Sequence, residues 1–233
     1  MKTGSPQRCR WHGHAAGAEL EQAVAHEILH QAQAGVRRHG AFRFVLAGGA
    51  TPRRVYELLR ETRADWPAWH IYFGDERCLP PEHPERNSCL AAEAWLNHVA
   101  IPRRQIHALP AEHGAEPAAA AYAQTLSSAG EFDLVLLGLG EDGHTASLFP
   151  GHDWGEGPDA PATIAVHDAP KPPPDRVSLS AARLSAARAV VFLVSGEAKR
   201  RAVADWRSGK RIPASAIAPA AGVDVFLEAA LLD

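Results

Sequence analysis

Residues 132–151 read FDLVLLGLGEDGHTASLFPG. Phe132 to Leu137 is a nearly continuous apolar run, the pattern of a parallel strand covered on both faces. It breaks at Gly138-Leu139-Gly140, and a polar loop containing Asp142 and His144 follows before Pro150-Gly151. The same succession recurs along the chain. Phe42 to Ala47 leads into Gly48-Gly49-Ala50-Thr51-Pro52, Trp69 to Phe73 into Gly74-Asp75-Glu76-Arg77, and Ala189 to Val194 into Ser195-Gly196. Thr163 to Val166 and Val223 to Leu227 read as further strands. Helical spacing occupies the intervals: Ala18 to about Arg38, a helix with Thr51 as N-cap and Pro52 first, a start at Ser88, Pro117 to about Leu126, and about Glu197 to Trp206. Strands alternating with helices predict an α/β fold with a mostly parallel sheet and helices on both faces. Ligands of such sheets sit beyond the carboxyl ends of the strands. The polar segments after the apolar runs fall there, so they are expected to form one site.

The 233 residues contain 46% hydrophobic and 22% charged residues, which argues against disorder and coiled coil. The length suits a single domain over residues 1–233, with 1–17 expected to be flexible. Lys plus Arg is 24 and Asp plus Glu is 27, so a net charge of -3 gives no footprint for nucleic acid or an anionic membrane. No apolar run is long enough to cross a bilayer, and MKTGSPQRCRWHGH has no signal-type apolar segment. The 3 cysteines, without a CxxC, fit a reducing cytoplasm. His12 and His14 show no full metal-ligand set. The expectation is a cytoplasmic enzyme or small-ligand binder needing no metal.

Gly48 and Gly49, between a strand and a helix, can bring backbone N–H groups close to an anion, with the helix N-terminus and Thr51 adding to the cradle. No lysine follows at Walker A spacing. Arg77 offers a rigid fork for phosphate or carboxylate, and Asp75 and Glu76 can orient it or bind sugar hydroxyls. Residues 138–143 match GxGxxG, but Pro150-Gly151 leaves fewer than two turns for the crossover helix that a nicotinamide fingerprint needs. His144 can take a proton from water near neutral pH, with Asp142 near enough in sequence to orient it. Ser147 lacks a GxSxG elbow. Lys199 and Arg176 could reach an anion from a strand-to-helix turn and from the end of a proline-rich loop. Taken singly, each of these has a plain structural explanation as a turn, a cap or a surface cation.

Together the motifs resemble a known family. Ala47-Gly48-Gly49-Ala50-Thr51-Pro52, Gly74-Asp75-Glu76-Arg77 with Asn87-Ser88, the run from Gly138 to Gly151, and Gly196-Glu197-Ala198-Lys199 occur in the order seen in 6-phosphogluconolactonases. The resemblance runs from about Ala18 to the C-terminus. It implies a modified Rossmann-like three-layer α/β/α sandwich, shared with glucosamine-6-phosphate deaminases and ribose-5-phosphate isomerases. It implies hydrolysis of 6-phospho-D-glucono-1,5-lactone without a cofactor, by a monomer or small homo-oligomer. His144, Asp142 and Arg77 would be catalytic, and Gly48, Gly49, Thr51, Asp75, Arg77, Arg176 and Lys199 would bind substrate. Deaminases continue after the histidine with Ile-Ala-Phe-Asn-Glu-Pro, whereas Thr145-Ala146-Ser147-Leu148-Phe149-Pro150 holds no carboxylate. That favours the lactonase over a deaminase or isomerase, and the retained His144, Arg77 and Lys199 weigh against a sensor without turnover. Ala47 and Ala50 replace hydroxyl residues usual in the family, and Glu228 stands where Asp is common.

Overall fold

A computed structural model describes residues 7–233. In chain order the principal elements are β1 (Cys9–His14), α1 (Gly17–His39), β2 (Phe42–Leu46), α2 (Ala50–Arg60), β3 (Trp69–Phe73), β4 (Asp75–Arg77), α3 (Asn87–Ala91) and β5 (Ile106–His107). They continue with α4 (Ala115–Ser127), β6 (Phe132–Gly138), β7 (Thr163–Val166), β8 (Arg176–Leu179), α5 (Ala181–Ser185), β9 (Ala187–Val194), α6 (Arg200–Arg207) and β10 (Val223–Glu228). Seven strands form one sheet in the order β1-β10-β9-β6-β2-β3-β5, and every pairing in it is parallel. Together with the flanking helices this is the expected α/β architecture.

The apolar runs become the centre of the sheet. Phe44, Val45, Ile71, Leu134, Val135, Val190 and Phe192 are fully buried, and burial on both faces is why these strands show no polar alternation. Trp66, Trp69 and Trp95 cluster against Phe42 and Phe44. Tyr56 packs on Trp95 and donates its hydroxyl to the Ala47 carbonyl at 2.7 Å, tying α2 to the end of β2. Tyr122 of α4 accepts the Phe73 N–H at 3.0 Å and donates to the His107 carbonyl at 3.1 Å, holding the ends of β3 and β5. At Gly35 on α1 an added Cβ would lie 2.9 Å from the Ala41 carbonyl oxygen, so the helix packs closely only with glycine there.

Three strands form a second, antiparallel sheet in the order β4-β8-β7. The chain enters it directly after Gly74, and pairing of β4 with β8 sets Asp75 opposite Ser178 and Arg77 opposite Arg176. The sequence pattern puts Asp75–Arg77 in a strand-end turn and does not mark β8 or β5. These strands are short and carry charged or polar residues, so periodicity does not mark them.

The expectation of flexibility over residues 1–17 is corrected where the chain is described. Residues 1–6 lie outside the described residues, but Cys9–His14 pairs in parallel with Val223–Glu228 along its whole length. Trp11 packs edge-on against Trp206 at 5.3 Å, and Gln7 Oε1 accepts the Trp206 indole N–H at 2.6 Å. His12 and His14 stack on Phe226, with His12 Nε2 2.8 Å from Asp224 Oδ1. Deleting residues 1–14 should therefore lower the unfolding temperature by at least about 5 °C, on a scale of roughly 2–4 °C per kcal/mol for a domain of this size. A thermal melt unchanged by the deletion would mean that the strand adds nothing to stability.

Candidate active site

β2 is flanked by β3, the next strand of the large sheet in sequence, on one side and by β6 on the other. The connection after β2 runs to β3 and the one after β6 runs the opposite way to β9, so the loops after β2 and β6 splay apart at a switch point. A cleft of about 430 Å3 opens there, lined by Gly48, Gly49, Gly74, Asp75, Arg77, Gly138, Gly140, His144 and Lys199, among others. The segments after β2, β3, β6 and β9 do converge on one site.

The β6 loop is built around the His144 ring. Gly140 N–H donates to the His144 carbonyl at 2.7 Å, and Thr145 Oγ1 donates to the Gly138 carbonyl at 2.9 Å, folding the loop onto its own strand. A Cβ at Gly140 would stand 2.0 Å from His144 Nδ1, so only glycine leaves room for the ring. No helix follows the GxGxxG segment, as Pro150-Gly151 implied. Asp142 Oδ1 lies 2.5 Å from His144 Nδ1 and accepts the His144 backbone N–H at 3.1 Å. Burial opposes ionisation of Asp142, but the hydrogen bonds from His144 outweigh it and hold the carboxyl below its ordinary range. An ionised carboxylate only accepts, so the ring proton sits on Nδ1 and Nε2 is left as the basic atom. Burial pushes the His144 pKa down and the nearby Lys171 charge adds to this, while Asp142 and Asp75 oppose it.

Asp75 is buried and held from two sides. Its Oδ1 accepts Asn87 Nδ2 at 2.9 Å and its Oδ2 accepts Ser147 Oγ at 2.6 Å. A Cβ at Gly48 would lie 1.9 Å from Asn87 Oδ1, so the β2 loop closes over this network. Glu76 is fully buried and serves the scaffold. Its Oε1 accepts the N–H groups of Arg77 and Asn87 at 2.9 and 2.8 Å, and its Oε2 accepts Ser88 N–H and Oγ at 2.9 and 2.7 Å. Arg86 Nε stands 3.4 Å away, and its guanidinium also meets Glu112 at 2.8 Å.

Two expected ligand groups are placed differently. The N-cap of α2 is Gly49 at φ 106°, so Thr51 falls inside the first turn, and it is not among the cleft-lining residues. The cradle is left to backbone N–H groups, of which the first in any helix lack internal acceptors. Arg176 lines the cleft, but much of its fork is engaged. Its Nε donates to the Pro173 carbonyl at 3.1 Å, and one terminal nitrogen donates to the Lys171 and Pro172 carbonyls at 3.0 and 3.1 Å.

Lys171 and Asn87, absent from the expected ligands, line the same cleft. Asn87 was visible only as part of a motif. Lys171 opens KPPPDR, whose prolines mark a loop without showing where it folds. Arg77 donates to the Glu85 carbonyl at 2.6 Å. Among the described residues none of Arg77, Lys171, Arg176 and Lys199 is in an ion pair, and Asp75 is the one carboxylate in the lining. A chain of net charge -3 thus carries a locally cationic cleft.

Comparison with known proteins gives the class. A model of the family described as glucosamine-6-phosphate isomerases/6-phosphogluconolactonase matches residues 15–226. This chain belongs to that family. A 6-phosphogluconolactonase from Streptomyces coelicolor is 38% identical over 221 residues, covering 87% of this chain and 83% of that protein. Another from Nostoc sp. is 37% identical over 186 residues, covering 76% of each. The crystal structure of 6-phosphogluconolactonase from Thermotoga maritima superposes with a TM-score of 0.87 at 26% identity, over 95% of this chain and 100% of that one. A monomeric glucosamine-6-phosphate deaminase shares the fold, with a TM-score of 0.81 at 18% identity, over 97% of this chain and 98% of that one.

Glu76 offers a direct test of how the site is held. Glu76→Gln turns an amide N–H2 towards donors that need an acceptor, and should cost about 3 kcal/mol, the scale of a buried unmet polar group. Urea denaturation measures it, and a loss below about 1 kcal/mol would contradict the bonding described.

Proposed function

We propose that the cleft hydrolyses 6-phospho-D-glucono-1,5-lactone to 6-phospho-D-gluconate with His144 as general base. Lactone hydrolysis in the oxidative pentose phosphate pathway is the reaction of this chain. One observation carries the reading of the residues: a carboxylate-oriented imidazole opens into a cleft whose cations form no ion pair among the described residues. A phosphorylated, electrophilic substrate fits that pairing.

The substrate phosphate lies against the Gly48-Gly49 backbone at the start of α2, with Arg77 and Lys199 supplying charge. This grip is remote from the reacting carbon, so its binding energy serves to place the lactone carbonyl beside His144. His144 Nε2 takes a proton as water oxygen bonds to the carbonyl carbon. The carbon–ring oxygen bond then breaks, and the imidazolium returns the proton to that oxygen. Asp142 steadies the imidazolium between the two transfers. Asp75, held by Asn87 and Ser147, keeps the β4 and β6 loops in register and faces the sugar hydroxyls. Ser147 and Thr145 are both engaged in bonds to the scaffold, and the loop from Thr145 to Pro150 contains no carboxylate for a ring-opening isomerisation. The chain acts as one domain, supported by a core cluster running from Leu20 to Leu231. It works in the cytoplasm as a monomer or small homo-oligomer, a reading supported by free Cys9, Cys78 and Cys89. No helix among the described residues is long and apolar enough to cross a membrane.

The test is hydrolysis of lactone generated in situ by glucose-6-phosphate dehydrogenase, at slightly acidic pH, with 6-phosphogluconate dehydrogenase reporting the product. The wild type accelerates the reaction, and His144→Ala loses at least about 10²-fold in turnover while still binding 6-phosphogluconate. A folded wild-type protein without acceleration overturns the proposal, and ammonia release from glucosamine 6-phosphate would replace it with a deaminase. The pH profile has a definite sign. The base works when neutral and its pKa is pushed down, so the acidic limb of kcat/KM should fall below the ordinary histidine value of about 6.5. An acidic limb above that value would contradict the assignment.

A further inference from the structure

The four cleft cations are not equivalent. Arg176 is 6% exposed, and among the described residues its guanidinium meets no carboxylate within ion-pair distance. It instead bonds the carbonyls of Lys171, Pro172 and Pro173. Its guanidinium carbon also stands 5.6 Å from the centre of the fully buried Phe149 ring. The His144 ring packs on the same Phe149 ring, with its centre 4.8 Å away. One buried side chain thus ties the backbone of Lys171 to the ring that supports the base. The loop is closed again by the Ala169 N–H donating to the Pro174 carbonyl at 3.0 Å, and by the Cys78 N–H donating to the Asp175 carbonyl at 3.0 Å. The Lys171 side chain itself is exposed, lines the cleft, and has no hydrogen bond or ion pair among the described residues.

We propose that Lys171 is the cation of the reacting end, stabilising the negative oxygen that forms on the lactone carbonyl, and that Arg176 is the positioning residue that holds it there. The inference rests on the lactonase reading of the cleft. It divides the charges: Arg77 and Lys199 serve the phosphate, Lys171 serves the carbonyl, and Arg176 acts through Lys171 without touching substrate. When water attacks, the carbonyl π pair moves onto oxygen beside the ammonium. When the oxyanion collapses, the carbonyl re-forms, the ring C–O bond breaks, and the departing ring oxygen takes the imidazolium proton, leaving a carboxylic acid that then loses its proton to solvent. A preset donor for the developing charge is commonly the largest single contribution in such sites. Lys171 is also the cation whose charge acts on His144, against the opposing charges of Asp142 and Asp75.

The experiment is steady-state lactone hydrolysis across pH by wild type, Lys171→Met, Lys171→Arg and Arg176→Lys. Lys171 is exposed, so its variants keep the fold. Lys171→Met should lose roughly 10²-fold in kcat with KM changed less than about threefold. Its acidic limb in kcat/KM should move to higher pH, because removing a cation makes His144 easier to protonate. Lys171→Arg should recover part of kcat and return the limb towards the wild-type position. Arg176→Lys cannot span the three carbonyls, and should lower kcat in the same direction with a smaller change. A raised KM with intact kcat in Lys171→Met would make Lys171 a phosphate contact and overturn the proposal. So would an unmoved acidic limb. A wild type with no lactone turnover overturns the lactonase reading and this inference with it, whereas an active wild type matched by Lys171→Met overturns this inference alone.

Discussion

The His144 ring occupies the space that any side chain at position 140 would need, with Nδ1 2.0 Å from where a Cβ would stand. Most of the site depends on that contact. It places the ring against the end of β6, where Asp142 can reach Nδ1 and leave Nε2 free. It also brings the ring over Phe149, and through Phe149 into contact with the Arg176 brace. The parallel register supplies the rest. Because β2, β3 and β6 run the same way, their trailing loops meet at one edge, and the β2–β6 switch point opens the space between them.

Charge in the site is arranged by burial rather than by pairing. The buried acids, Asp75 and Glu76, spend their oxygens on N–H and O–H donors of neighbouring loops, and so fix geometry. Among the described residues the cations lining the cleft have no carboxylate ion-pair partner, so the cleft presents net positive charge to an anionic substrate although the chain as a whole is negative. The same field disfavours the charged form of His144. Burial and a neighbouring ammonium both disfavour the imidazolium until a substrate anion arrives to balance it.

The central fold was legible because β2, β3, β6 and β9 are buried on both faces and read as unbroken apolar runs ended by glycine. β1 was not legible. Its six residues carry only two apolar side chains, Cys9 and Trp11, too few for a clear alternation, and its partner is the last strand, a pairing set by tertiary contact alone. β4 and β8 failed for a related reason: each is short and charged, and each is defined by the other across a long loop. At the site, Gly48, Gly49, Asp75, Arg77, His144 and Lys199 line the cleft, and Asp142 contacts His144. Thr51 does not line it, because the backbone enters α2 at Ala50, two residues earlier than a Thr51 cap would require. Arg176 was read as a free cation, since nothing in the sequence shows that its fork closes on carbonyls three to five residues back. Lys171 was missed for the same reason: that loop fold is what places it in the cleft.

The central claim is that His144 is a neutral, Asp142-oriented base facing an anion-binding cleft. Nitrogen-detected NMR titration of the His144 imidazole, with and without 6-phosphogluconate, tests it most directly. An Nδ1–H tautomer and a ring pKa below about 6.5 are expected in the free protein, rising when the anionic product fills the cleft. A ring that titrates at the ordinary value, in either tautomer, and ignores the ligand would contradict it.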